Sequence, residues 1–170
     1  MVILIGILLS TYVAAVAETA LAPLLAVYQI APSLLAIVAV AWVVSAAASP
    51  WSVAQVASIG LVFDLNVGGH VGVGLASYAL LAFAAQRVRP TMRRLGPIEQ
   101  AFLCAPLMVA LLMLIAVGNA LFGHAVAPLP VLLLRASAAG VYSAAMSLPV
   151  WMILDWVRDA HRFRDTHNAL

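Results

Sequence analysis

The stretch GLVFDLNVGGHVG, residues 60–72, sets an aspartate and a histidine among glycines in a chain that is otherwise nearly all apolar. The 170 residues are 66% hydrophobic and 8% charged, and the mean hydropathy is +1.13. A soluble domain carries about 25% charged residues. A water-facing surface cannot be made from this inventory, so the composition implies an integral membrane protein. A crossing takes about 20 apolar residues, which leaves room for about six. Backbone groups in lipid must be satisfied internally, by helices or by a closed barrel. The apolar runs are continuous and rich in Ala and Leu, not alternating, which selects helices. The expected fold is an all-α integral membrane protein: one transmembrane domain over residues 1–170, a compact bundle of about six transmembrane helices.

Within that frame, residues 60–72 read as a helix end followed by a tight turn. Ala57, Gly60 and Asp64 share one helical face. Small residues there let a second helix approach, so Asp64 is expected to face protein. Asn66, Gly68 and Gly72 belong to the turn, where glycine supplies positive φ. The other deep charge is Arg135, about 9 Å into the last span at 1.5 Å per residue. An Asp64–Arg135 pair fixing span three against span six is the expectation. The run from Gly72 to Ser77 has the outline of a dinucleotide fingerprint, but it lacks the strand and βαβ setting that motif needs.

Working outward, the spans run roughly from Val2 to Leu21, Pro32 to Ala48, Trp51 to Leu65, Val73 to Ala85, Pro97 to Leu121 and Val131 to Trp156. The third and fourth are short. Whether they cross or form a re-entrant hairpin is open from sequence. All eight basic residues are arginines. Arg87, Arg89, Arg93 and Arg94 fall in a loop at about 86–97, and Arg158, Arg162 and Arg164 in a C-terminal tail at about 158–170. The positive-inside rule places both segments, and both termini, in the cytoplasm. No basic residue precedes the apolar run Met1–Ala17, so a retained first helix is expected rather than a cleaved signal peptide.

Few residues suggest chemistry. Cys104 is the one cysteine and reads as a small buried hydrophobe. No Cys/His cluster has metal-ligand spacing, and no triad pattern occurs. His70 and His124 stand alone. Ala136, Gly140 and Ala144 form a small-residue stripe suited to helix contact. Trp151 and Trp156 read as interfacial anchors. Asp155, Arg158, Asp159 and Arg162 interleave as local ion pairs. Neither an enzyme, nor a cofactor or metal site, nor a nucleic-acid surface is expected.

The run AQVASIGLVFDLNVGGHVGVGLASYALLAFAAQRVR, starting at Ala54, resembles the characteristic segment of the rod-shape-determining MreD family. Gly60, Asp64, Leu65, Gly68, Gly72, Leu75 and Ala76 match its scheme. Pro32-Ser33-Leu34-Leu35 resembles the opening of that family's second helix, and Leu134-Arg135-Ala136 the start of its last. The likeness covers most of the chain and is specific over residues 54 to 90. It implies a non-enzymatic scaffold of the bacterial inner membrane, supporting lateral peptidoglycan synthesis and cell shape. The implied partners are an MreC-like protein, a RodA-like glycosyltransferase with its transpeptidase, MreB, and membrane lipids. The family's helix arrangement is similar to that of the substrate-binding subunits of energy-coupling-factor transporters. The alternative is therefore a vitamin-binding membrane subunit.

Overall fold

The computed structural model describes residues 12, 15–16, 18–20, 24, 26, 32–45, 49–67, 70–123 and 127–167, with side chains described as far as Trp156. Most of the expected first span, Gly68, His124 and the side chains of the 158–170 tail lie outside the described residues. Among the described residues the chain is helical, joined by turns, with no strand. Five helices follow the N-terminal helical residues: α1 (Leu34–Ser45), α2 (Pro50–Val67), α3 (Val73–Met92), α4 (Pro97–Leu121) and α5 (Leu129–His167). Two segments are long and apolar enough to cross a membrane, Pro97–Leu121 and Leu129–Trp156, by length and composition.

Helix α1 is the buried centre. Its sequence LLAIVAVAWVVS has no polar residue before its end, and eight of its 12 residues are buried. It packs on α2, α3 and α5. At 1.5 Å per residue it is about 18 Å long, short of the ~30 Å apolar thickness of a bilayer.

Helices α2 and α3 form an antiparallel hairpin. Their expected shortness is corrected: α2 has 18 residues and α3 has 20. Gln86 of α3 reaches the start of α2, donating to the Ser49 carbonyl at 3.1 Å and to Ser52 Oγ at 2.8 Å. The basic loop is corrected too. Helix α3 continues through Pro90 to Met92, so Arg87 and Arg89 are helical and the turn is residues 93–96. Arginine density and a proline read as a loop. In the fold Arg89 and Arg93 find acceptors on α1, and the Gln100 amide closes the helix end by donating to Met92 O and Leu95 O.

Helices α4 and α5 make a second antiparallel pair. Pro97 and Glu99 open α4, with Glu99 accepting the Gly96 N–H at 3.2 Å. The pair comes close at Gly140, where an added Cβ would strike the Val109 side chain and lie 3.1 Å from Val109 N and 3.3 Å from Ala105 O. Helix α5 runs 39 residues, through Pro149, so the expected C-terminal tail is helical as far as His167.

Candidate functional site

The first N–H groups of a helix have no partner within it. At the start of α3 one side chain meets that need. Asp64, 4% exposed at the end of α2, accepts from Gly72 N at 2.7 Å and Leu75 N at 3.3 Å through Oδ2, and from Gly74 N at 2.7 Å through Oδ1. Val73 N donates to His70 O. The carboxylate also sits where the helix dipole favours negative charge.

Two glycines make this reach possible. Gly72 has φ +111°, a left-handed conformation that side chains disfavour. Gly74 faces Gly60 backbone to backbone: a Cβ at Gly74 would lie 2.7 Å from Gly60 O and would strike the Asp64 carboxylate. Helices α2 and α3 are therefore in contact where the clasp closes. The expected Asp64–Arg135 pair does not form. Both Asp64 oxygens are engaged by α3, α2 packs on α3 and α1, and Arg135 is exposed on α5. The helix terminus supplies the counter-charge that a guanidinium was expected to provide.

The start of α1 is closed in the same way. Glu18 Oε2 accepts from Leu34 N and from Leu35 N, the latter at 3.0 Å. Ser33 is the N-cap, its Oγ 3.4 Å from Ala36 N. The N–H of Ser33 itself donates to Ser143 Oγ of α5 at 3.0 Å. Each early N–H of α1 thus has a partner. Beside this knot lies Tyr78 of α3, fully buried, its hydroxyl next to Ser33 and, among the described residues, without a partner in hydrogen-bond geometry.

The opposite end of α1 is closed by cations. Arg89 Nε and Arg93 Nε donate to Val44 O at 3.3 and 2.9 Å, and Arg93 Nη2 to Ser45 O at 2.8 Å. Terminal carbonyls and the negative end of the dipole both favour this placement. Arg87 lies over the Phe83 ring at 5.0 Å, and Arg94 is exposed. The four loop arginines therefore divide into two that close α1 and two that face outward.

These contacts fix depth. Ser143 is 14 residues past Leu129, halfway along the apolar segment Leu129–Trp156. The α1 N-terminus bonds to it, so α1 begins midway through the bundle. From Leu34 to Val44 is about 15 Å, and from Tyr78 to Arg89 about 16 Å. Both place the polar knot at the same level.

Other expected positions are now located. Gly140 is buried against α4, and Asn66 is exposed at the end of α2. The His70 ring sits 4.9 Å from that of Phe122. Trp156 is 73% exposed, but Trp151 is wholly buried and donates to Ser147 Oγ at 3.1 Å, so it is a core residue and not an interfacial anchor. No group of three or more His, Cys, Asp or Glu converges among the described residues. The sequence reading missed Ser33, Tyr78 and Ser143 as one cluster. Their only signal was a hydroxyl in each of three apolar runs, with nothing in the spacing to join them.

Comparison with protein-family models, curated proteins and solved structures gives no match to this chain.

Proposed function

We propose that the chain is a non-enzymatic scaffold of the bacterial cytoplasmic membrane, acting in lateral cell-wall synthesis with an MreC-like protein, a RodA-like glycosyltransferase and its transpeptidase, and MreB. The observation that carries this reading is the α2–α3 clasp. The segment resembling the MreD family is the segment that folds as this hairpin, and Gly60, Asp64 and Gly72, which carry the likeness, are the residues that close it. Lengths of about 27 and 30 Å favour two crossings over a re-entrant loop. The arginine distribution favours a cytoplasmic face at the Arg89–Arg93 end, with Asp64 toward the outside and both termini inside. The arrangement likened to energy-coupling-factor substrate subunits belongs to the same proposal.

The test is affinity purification of the tagged protein from its own membranes. An MreC-like protein and the RodA-like enzyme should accompany it. Recovery of no wall-synthesis component overturns the reading.

One observation favours a second reading, a small-molecule-binding subunit. Half-helix N-termini ending at mid-depth bind substrates in many transporters, and α1 begins midway along the bundle, beside the buried Tyr78 hydroxyl. Equilibrium dialysis against vitamins separates the two: tight binding that Tyr78→Phe weakens favours the subunit, and no binding favours the scaffold.

A further inference from the structure

The C-terminal end of α3 carries arginines on two faces. Arg89 and Arg93 turn inward to the α1 carbonyls. Arg87, Thr91 and Arg94 follow at i, i+4 and i+7, on one other face, and all three are exposed. Arg93 keeps helical angles, φ −67° and ψ −16°, so that face runs on past Met92 to Arg94. The Arg87 guanidinium lies over the Phe83 ring. No acceptor among the described residues engages Arg87, Thr91 or Arg94. One and two turns back toward the middle of α3 the same face is apolar, with Phe83 53% and Leu80 55% exposed.

The level of this change is marked independently. Gln86, next to Arg87, donates to Ser49 and Ser52 at the start of α2. Between those serines stands Trp51, 76% exposed. Exposed tryptophan belongs to the boundary between acyl chains and headgroups. Arg87 therefore stands where an apolar face gives way to donors, and Thr91 and Arg94 continue the donors over about 10 Å. Guanidinium groups bind phosphate in a fork, and a hydroxyl adds one more donor. A soluble protein would have no use for the apolar stretch beneath, and a free phosphate would leave Phe83 and Leu80 uncovered. A zwitterionic headgroup would bring an ammonium to the same cations. We propose that this face binds one anionic phospholipid, its phosphate between Arg87 and Arg94 with Thr91 donating, and its chains along Phe83 and Leu80. The proposal rests on the membrane setting of the scaffold reading and on none of its partners.

The experiment is native mass spectrometry of the full chain, purified in detergent, stripped of lipid and titrated with phosphatidylglycerol or phosphatidylcholine. The expected result is one phosphatidylglycerol adduct per chain, formed at a roughly tenfold lower lipid concentration than any phosphatidylcholine adduct. Arg87→Gln with Arg94→Gln should abolish that preference and leave the melting temperature unchanged. Arg89→Gln, which removes the same charge from the inward face, should keep the preference. Equal affinity for the two lipids, a preference that survives the double variant, or displacement of the adduct by inorganic phosphate overturns the proposal. A photo-crosslinker at Thr91 in native membranes should label phospholipid; a protein adduct alone assigns the face to a soluble partner and overturns the proposal. Absence of the lipid preference in a protein that still copurifies with an MreC-like partner overturns the lipid site alone. A preference lost in the double variant, with no wall-synthesis component copurifying from wild type, supports the site and counts against the scaffold reading.

Discussion

In α1 eight of 12 residues are buried, and in α4 five of 25. Helix α1 sits among other helices and has both ends closed by side chains from elsewhere: Glu18 and Ser143 at one, Arg89 and Arg93 at the other. Helix α4 closes its own start with its own Glu99, and turns much of its length outward, with Ile98, Phe102 and Leu121 each more than 70% exposed. The difference is one of solvent. The start of α1, shut inside protein, has no water for its N–H groups, so charged or hydroxyl side chains must be brought to it; at its other end, where Ser45 is exposed, arginines meet the last carbonyls and the negative end of the dipole. A helix at the periphery has only to be apolar. Thus Asp64, Arg89 and Arg93 in the α1–α3 half close helix ends, while Arg135 on α5 is exposed with no ion-pair partner among the described residues.

That contrast can be broken by mutation. The largest effect is expected at the clasp. Asp64→Ala strands three N–H groups around a buried position and should lower stability by roughly 3–5 kcal/mol. Thermal unfolding of the detergent-solubilised protein would show it. Asp64→Asn, which keeps an acceptor oxygen, should lose less. Next comes Gly74→Ala, whose Cβ meets the Gly60 carbonyl at 2.7 Å. Overpacking of this kind costs about 1–3 kcal/mol, read as a lower melting temperature and faster hydrogen exchange in α2 and α3.

Removing both arginines from the α1 C-terminus, Arg89→Ala with Arg93→Ala, should cost about 1–2 kcal/mol. On the proposed topology, the same double variant should also reduce retention of the cytoplasmic orientation in a topology reporter assay. The smallest effect is expected at Phe102→Ala on the α4 surface, within about 0.5 kcal/mol for the isolated protein. A melting-temperature drop there as large as that of Asp64→Ala would mean that the two halves are not different in kind.

Part of the clasp was readable beforehand. An aspartate ending an apolar helix, a small-residue face behind it and glycines after it imply a close-packed turn, and Gly60, Asp64 and Gly72 occupy one. The counter-charge was not readable. A lone carboxylate in an apolar chain invites a guanidinium partner, because charge is visible in sequence and a helix dipole is not. The same gap hid Glu18, which closes the start of α1. Residues 32–48 have the hydropathy of a full span, so nothing in them marks α1 as a short helix starting at mid-depth. That depends on Ser33 meeting Ser143, 110 positions away.

The sequence by itself determined the helical class and the apolar character of the chain. Both follow from composition and local pattern. Only the tertiary structure decided which helix end each charge closes and where α1 begins. Those depend on the few places where backbones come close enough to touch, as at Gly60 and Gly74, and on the unsatisfied N–H and C=O groups that packing leaves to be matched.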